Sequence, residues 1–388
     1  MHTETIIVGA GLAGLSLAAE LQRQQRDYVL IEARERLGGR IFSKTLAAPA
    51  KASASLDSDS LDPSCFGSHC FDLGPTWFWP QVNPRMKQLV SDLGLGIFPQ
   101  YQSGGMVIQS DTGFILRQNQ SWTQNPRPMR INGGMQALIH ALAAQLDHQR
   151  LRLACHLTQL ELNADGVTAQ CQQDGCEQTW QAQRVVIAVP PRVALRDISF
   201  TPALPKATQQ QLQQLPTWMA SRAKMVAVYS HPFWRDRQQS GLAISQCGPL
   251  AEIHDASPAD GSKGALFAFF HWPAEQREAQ QQTLKTQLTE QLVKLYGPQA
   301  GEPEALWIQD WAQEPLTAVA SDLNEAPQHP SGGDQLMQGE PWQQRLLWAA
   351  SECGGHNAGY LEGALEAAAA CLAQIPEEQT LPMACSLP

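Results

Sequence analysis

The chain has 388 residues, which is long enough for one large core or for two domains. Hydrophobic residues make up 43% of it and charged residues 16%, a composition that excludes an intrinsically disordered protein. The net charge of -10 argues against nucleic acid or an anionic membrane as a partner of the whole surface.

Nine cysteines are scattered along the chain without a C-x-x-C pair, and no two histidines have metal-ligand spacing. The sequence therefore predicts no metal site and no full disulfide framework. The first apolar run begins within the first residues, which leaves no room for a signal peptide, and no apolar stretch is long enough to cross a bilayer. We expect a cytoplasmic protein without a membrane partner; its oligomeric state stays open.

The first predicted elements form a dinucleotide-binding unit. An apolar run at 5–8 breaks into the pattern G-x-G-x-x-G at Gly9, Gly11 and Gly14, and a helix with one apolar face and a second strand at 28–31 follow. The first glycine permits a tight turn, the second lets a pyrophosphate approach the backbone, and the third lets the helix lie close to the sheet. This order predicts a Rossmann-type βαβ unit.

Glu32 ends the second strand, where its carboxylate can accept hydrogen bonds from both ribose hydroxyls and repel the 2′-phosphate of NADP. The next residues are predicted to fold over the pyrophosphate and to neutralise its charge through two arginines. These residues are Ala33, Arg34, Gly38, Gly39 and Arg40.

The run from Glu32 to Arg40 reads E-A-R-E-R-L-G-G-R, and at this point the sequence resembles the flavin-containing amine oxidases of the monoamine/polyamine oxidase superfamily. The resemblance recurs as D-L-G-P-T-W-F at 72–78, as G-G-M at 133–135, as P-F-W-R at 232–235 and as G-Y-L-E-G-A at 359–364. It implies a flavoprotein that binds FAD and oxidises a small-molecule amine with dioxygen as the second substrate.

The resemblance also implies which further residues contact the cofactor. The D-L-G-P-T-W-F segment at 72–78 passes beside the flavin, with a proline where the family has a second glycine. The strand predicted at 152–162 meets the adenine. The two C-terminal motifs, at 351–352 and 359–364, meet the ribityl chain, the phosphates and the flavin ring. The residues implied are Leu73, Gly74, Pro75, Thr76, Leu157, Ser351, Glu352, Tyr360 and Leu361.

Lys224 interrupts an apolar strand predicted at 223–229. A buried lysine is costly, so it either has a purpose or lies exposed at a strand edge. In the family the matching lysine holds a water at flavin N5, which makes Lys224 the predicted catalytic residue, together with Tyr360 on the substrate side of the ring. We interpret His254, which stands beside Asp255, as structural.

Three tryptophans are candidates for the wall of the substrate cavity. Trp77 and Trp79 follow the glycine–proline pair, although packing in a core or between domains explains each ring equally well. Trp311 is a candidate to replace an aromatic wall that relatives have a few residues later. That stretch also lacks the cysteine to which some relatives attach the flavin, so we expect non-covalent FAD.

The predicted fold class is α/β, a Rossmann-type FAD-binding domain with an inserted mixed-sheet α+β substrate domain. We assign residues 1–80, 131–195 and 311–388 to the FAD-binding domain and residues 81–130 and 196–310 to the substrate domain. We also predict a surface loop at 46–70, a strand at 152–162, one long helix at 273–296 and a last strand at 345–352.

The predicted function is FAD-dependent amine oxidation: hydride transfer to flavin N5, reoxidation by dioxygen to hydrogen peroxide, and hydrolysis of the imine to an aldehyde. Two kinds of alternative stay open. The same fold serves amino-acid oxidases, which need an arginine such as Arg222 or Arg235 for a carboxylate, and carotenoid or protoporphyrinogen desaturases. The chain could also bind FAD without catalysing a reaction.

Overall fold

The computed structural model describes residues 1–46, 69–173, 175–324, 328–338, 342 and 345–376. The loop predicted at 46–70 therefore lies almost entirely outside the described residues. None of the described helices has both the length and the apolarity needed to span a bilayer. Within the same residues, no group of three or more His, Cys, Asp or Glu side chains is arranged to hold a metal ion.

The described strands, in chain order, are β1 (His2–Val8), β2 (Tyr28–Ile31), β3 (Ser43–Thr45), β4 (Cys70–Asp72), β5 (Ile97–Pro99), β6 (Gly105–Gln109), β7 (Ile115–Gln118), β8 (Met129–Ile131), β9 (Leu151–Arg152), β10 (Cys155–Leu162), β11 (Val167–Gln173), β12 (Cys176–Ile187), β13 (Ser199–Thr201), β14 (Ala223–Tyr229), β15 (Gln239–Ser245), β16 (Leu250–Asp255), β17 (Gly264–Phe270), β18 (Ala305–Asp310) and β19 (Leu346–Trp348). The described helices are α1 (Leu12–Arg23), α2 (Pro84–Asp92), α3 (Gln136–Ala143), α4 (Pro191–Asp197), α5 (Lys206–Gln213), α6 (Phe233–Asp236), α7 (Ala274–Ala279), α8 (Leu284–Tyr296), α9 (Ala320–Asn324) and α10 (Leu361–Gln374).

The larger sheet carries the dinucleotide-binding unit. Its eight described strands run in the order β13-β10-β11-β12-β1-β2-β9, with β19 paired to β12. β1 is parallel to both β2 and β12, and Ile6, Ile7 and Val8 are buried, as expected of a parallel strand covered on both faces. α1, α3 and α10 pack on one face, so the two ends of the chain meet in one core.

The second sheet has seven described strands in the order β18-β14-β17-β16-β15-β6-β7. The predicted leucine stripe of α8 packs on one face, and Phe71 and Leu73 pack on the other. β14 lies between β17 and β18, and all seven of its residues are buried. Lys224 is therefore on a central strand, and the alternative of an exposed lysine at a strand edge is wrong.

Three predicted elements differ from the structure. The single helix at 273–296 is two helices, α7 and α8, because the polar residues at 280–283 offer no apolar side chain to the core. Arg152 belongs to β9, which pairs with β2, and the positive φ of 51° at Ala154 separates β9 from β10. The last strand ends at Trp348, and Ser351 begins a 3₁₀ turn.

Candidate active site

A cavity of about 550 Å³ lies where the two sheets meet. Its wall combines the glycine turn after β1, the segment after β4, the start of β14 and the start of α10. Two predicted site residues, Gly14 and Glu352, are not on the wall. The others all line it, namely Gly9, Gly11, Glu32, Ala33, Arg34, Gly38, Gly39, Arg40, Leu73, Gly74, Pro75, Thr76, Trp77, Trp79, Leu157, Lys224, Trp311, Ser351, Tyr360 and Leu361.

The glycine turn has the shape that a pyrophosphate requires. Gly9 has a φ of +101°, and a Cβ at Gly14 would lie 1.9 Å from the Gly9 carbonyl oxygen, so α1 approaches β1 only because residue 14 is glycine. A Cβ at Gly11 would meet no atom within 4 Å, so the backbone there faces open space. No described side chain caps α1, which leaves its first N–H groups and the positive end of its dipole for an anion.

Glu32 is 5% exposed and is held in place by two backbone donors. Ala10 N–H donates to Oε2 at 2.8 Å, and Arg34 N–H donates to Oε1 at 2.9 Å. Each carboxylate oxygen keeps a second lone pair, so Glu32 can accept hydrogen bonds from the two ribose hydroxyls of a dinucleotide. Together with the glycine turn, this geometry fits the adenosine and pyrophosphate of FAD.

The two arginines predicted to neutralise the pyrophosphate are already paired with acids. Arg40 donates to Glu352 Oε1 at 2.7 Å and to Ser351 Oγ at 2.8 Å, and Arg34 donates to Glu314 at 3.2 Å. Glu352 is fully buried behind Arg40. Glu352 is not on the cavity wall, and its carboxylate orients Arg40 and balances the charge of that arginine. A direct contact between Glu352 and the cofactor stays a prediction.

Lys224 is 3% exposed, and its ammonium reaches the cavity wall. Nζ donates to the Gly74 carbonyl oxygen at 2.8 Å and to Thr76 Oγ1, and it lies 4.2 Å from the centre of the Phe267 ring. Burial lowers the pKa of Lys224 to about 7, although the nearby Asp72 carboxylate acts in the opposite direction. Lys224 can therefore gain or lose a proton near neutral pH.

Asp72 supports this lysine and was not assigned a role from the sequence. Its Oδ1 accepts from Ser43 Oγ and from Met135 N–H, each at 2.7 Å. A Cβ at Gly134 would lie 2.9 Å from the same oxygen, so the G-G-M segment leaves room for this carboxylate. Burial raises the pKa of Asp72, while the positive charge of Lys224 opposes that shift. The aspartate of the D-L-G motif was the signal that could have identified it.

Two of the tryptophans on the wall are held by their indole N–H groups. Trp77 donates to Gln100 Oε1 at 2.8 Å, and Trp311 donates to the Leu73 carbonyl oxygen at 3.2 Å. Phe267 and Phe269 of β17 also line the cavity, beside Lys224, and sequence reasoning missed them. The alternation of large and small residues along β17 was the available signal.

Tyr360 lies at the more open end of the cavity, with 45% of its surface exposed. Its hydroxyl forms a 2.9 Å hydrogen bond with His329 Nε2, and the His329 ring stacks on Trp218 at 3.5 Å and on Tyr360 at 4.7 Å. Leu361 begins α10, which no described side chain caps. The positive end of this helix dipole therefore also faces the cavity.

The structure shows which of His254, Arg222 and Arg235, each open to two interpretations from the sequence, lies at the cavity. His254 contacts Glu252 at 2.6 Å and is not on the wall of this cavity, which supports its interpretation as a structural histidine. Asp255 instead accepts from Arg235 at 2.9 Å. Of the two arginines considered for a carboxylate, Arg222 lines the cavity and Arg235 does not.

Comparison with known proteins places this geometry among flavoenzymes. The protein-family model described as "Flavin containing amine oxidoreductase" matches residues 97–373. The model described as "NAD(P)-binding Rossmann-like domain" matches residues 7–93. The two matches together cover both the glycine turn and the strand that carries Lys224.

The chain is similar to amine oxidases in sequence and in fold. It is 24% identical to the putrescine oxidase of Kocuria rosea, over 94% of this chain and 93% of that protein. It is 27% identical to the probable flavin-containing monoamine oxidase A of Dictyostelium discoideum, over 61% of this chain but only 51% of that protein. The solved structure of a putrescine oxidase bound to putrescine matches with a TM-score of 0.74 and 21% identity, over 97% of this chain and 99% of that one, a likeness of fold.

Proposed function

The chain belongs to the flavin-containing amine oxidoreductase family and is an FAD-dependent amine oxidase, and we propose that it oxidises the carbon beside the nitrogen of a small amine at the cavity that Lys224 lines. One observation carries the proposal. A lysine that burial makes able to titrate near pH 7 lies on the wall of the cavity that also contains the dinucleotide turn. A buried lysine with a perturbed pKa beside a cofactor cavity is typical of a functional site, which favours catalysis over mere FAD binding.

FAD, when bound, would supply the acceptor for the hydride and the route by which two electrons reduce dioxygen to hydrogen peroxide. The substrate then leaves as an imine, which water hydrolyses to an aldehyde and ammonia or a smaller amine. The residues of the chain provide position and environment. Gly11 and the start of α1 would hold the pyrophosphate, and Glu32 would hold the ribose.

The aromatic walls favour the reactive form of the amine. The nitrogen must be neutral, because its lone pair supports the positive charge that develops as the C–H bond breaks. Trp77, Trp311 and Phe269 line the cavity with apolar surface, which disfavours an ammonium ion. We propose that these aromatic walls contribute to catalysis mainly by desolvating the amine and by positioning its C–H bond.

Lys224 would act in the reaction with dioxygen. Its bonds to Gly74 and Thr76 fix Nζ at the wall, where it can hold a water molecule and exchange a proton. We assign Tyr360 to the substrate side of the ring, where its exposed edge contributes to the cavity entrance.

We propose that FAD is held without a covalent bond. Among the described residues, Cys155 is the cysteine on the cavity wall, and it adjoins Leu157, the residue assigned to the adenine end. Acid precipitation should therefore release the yellow colour into the supernatant, whereas a covalent flavin would stay in the pellet. The seven described cysteines are free thiols, which supports the proposed cytoplasmic location.

The test is anaerobic mixing of the FAD-loaded protein with a panel of amines, followed by admission of air. We expect at least one amine to bleach the flavin and to yield hydrogen peroxide on reoxidation. Lys224→Met should slow reoxidation by about 100-fold while the FAD content stays the same. Lys87→Met, which removes an exposed lysine of α2, is the matched control. An unchanged oxidative half-reaction in Lys224→Met would refute the role of Lys224, and a flavin that no amine bleaches would refute amine oxidation.

A further inference from the structure

Arg222 occupies a distinctive place on the cavity wall. It directly precedes β14, and its carbonyl oxygen accepts from Trp311 N–H at 3.0 Å, which continues the pairing of β14 with β18. Arg222 stands two residues before Lys224, about 7 Å away along an extended backbone. Both line the cavity.

The guanidinium of Arg222 has no hydrogen-bond or ion-pair partner among the residues that the structure describes, although the side chain is half-buried. Arg277, whose charge acts on Arg222, pairs with Asp310 at 2.6 Å, and Arg235, the other arginine considered for a carboxylate, pairs with Asp255 at 2.9 Å. Burial lowers the pKa of Arg222, and the positive charge of Arg277 lowers it further. An arginine kept in such surroundings, with no described acid paired to it, suits an anion that arrives with a ligand.

The acids on the described part of the wall are already engaged. Glu32 accepts from two backbone N–H groups, and Glu362 accepts from Arg85 N–H at 2.8 Å and Met86 N–H at 2.9 Å. Asp197 pairs with Arg196 at 2.6 Å. Glu32 is assigned to the ribose of FAD, and Glu362 and Asp197 are already bonded to other groups, so none of the three is set aside for a second ammonium group of a diamine, which Arg222 would repel.

We infer that Arg222 binds a carboxylate of the substrate, so that the molecule oxidised is an amine that also carries a carboxylate and an apolar or aromatic group. The inference rests on the proposed amine oxidation and names its substrate class. The planar guanidinium can donate two parallel hydrogen bonds to a carboxylate. Trp218 and Phe269, on the same wall, offer apolar surface to the rest of the molecule.

The first experiment compares matched pairs of substrates by anaerobic flavin bleaching. The pairs are phenylalanine with 2-phenylethylamine, lysine with cadaverine, and 4-aminobutyrate with putrescine. We expect the carboxylate-bearing member of at least one pair to bleach the flavin at least tenfold faster at low concentration. A preference of the wild-type protein for the amine or the diamine in all three pairs would overturn the inference and leave amine oxidation standing.

The second experiment measures binding without turnover. 3-Phenylpropionate, a carboxylate with no amine, should perturb the flavin spectrum, and its Kd should rise about 100-fold in Arg222→Gln. Arg222→Lys should retain part of the affinity, because a lysine keeps the charge but not the planar pair of donors. Arg23→Gln, which removes an exposed arginine on α1, is the matched control and should leave the Kd unchanged.

The two readouts separate the two proposals. If no amine bleaches the flavin but the Kd still depends on Arg222, amine oxidation fails and carboxylate binding stands. If Arg222→Gln and the wild-type protein bind 3-phenylpropionate equally, or neither binds it, the inference fails. FAD content and melting temperature show whether Arg222→Gln is folded; if it is not, Arg222→Lys and the wild-type substrate preference decide.

Discussion

The buried Lys224 should make the stability of the protein depend on pH, and Lys224→Met should remove that dependence. Burial lowers the pKa of Lys224 from 10.5 to about 7 in the folded protein. Between these two values the unfolded chain binds a proton that the folded chain has released. The free energy of unfolding should therefore rise with pH across this window, and the stabilisation should be lost as pH falls towards about 7.

The size of the effect follows from the shift. A displacement of about 3.5 pKa units at about 1.36 kcal/mol per unit gives a full effect of nearly 5 kcal/mol. Between about pH 7 and about pH 9 the same linkage gives a gain of roughly 2 kcal/mol in the free energy of unfolding. Asp72 contributes in the opposite direction, because burial raises its pKa in the folded protein. The folded chain then holds this proton more tightly than the unfolded chain, so the contribution of Asp72 to the free energy of unfolding falls as pH rises.

The assay is urea unfolding of the FAD-loaded protein at several pH values, for wild type, Lys224→Met and the exposed control Lys87→Met. The difference in unfolding free energy between wild type and Lys224→Met should change by about 2 kcal/mol over that range, in favour of wild type at the higher pH. Lys87→Met should follow the wild type. Parallel pH curves for wild type and Lys224→Met would show that Lys224 is not held in the neutral form, and the argument from its burial would fail.

Three further substitutions test other parts of the structure. Gly14→Ala should prevent α1 from approaching β1, because the added Cβ would lie 1.9 Å from the Gly9 carbonyl oxygen. The purified Gly14→Ala protein should therefore lack FAD absorbance and melt at a lower temperature. In Gly11→Ala the added Cβ meets no atom within 4 Å, so this variant should keep the stability of the apoprotein and lose only affinity for FAD. Asp255→Asn should lower stability by about 3 kcal/mol, because Arg235 loses its buried counter-ion. Turnover per folded Asp255→Asn molecule should equal that of the wild type, and a selective loss of turnover would contradict a structural role.

The sequence predicted best where the chemistry is local. The glycine turn, its helix and Glu32 lie within one short segment, so their spacing alone predicts that they share a site. Lys224 stood out because a charged residue in an apolar strand is unusual, and the family resemblance then implied its catalytic role. By contrast, the pairing of Arg40 with Glu352 joins residues 312 positions apart, and no pattern within either segment indicates it. The same holds for Glu362, which binds the N–H groups at the start of α2.

Arg222 and Arg235 show why the remaining part of the site needed a structure. From the sequence, both were equal candidates for binding a carboxylate. The distinction depends on Asp255, which reaches Arg235 but not Arg222, and on the cavity, which Arg222 alone of the two lines. Whether a charged side chain is available to a ligand depends on the partners that the fold supplies to it.

Lys224 on β14 and Arg222 just before it are assigned two separate tasks. Lys224 is fixed by Gly74 and Thr76, which belong to the segment after β4, whereas Arg222 makes no side-chain bond to a described residue of that segment. A substitution at position 222 should therefore change which anion or cation the cavity accepts without displacing Nζ of Lys224. On this reasoning Arg222→Glu would repel carboxylates and admit a second ammonium group, so that the preferred substrate would shift towards diamines while the reaction with dioxygen kept its rate.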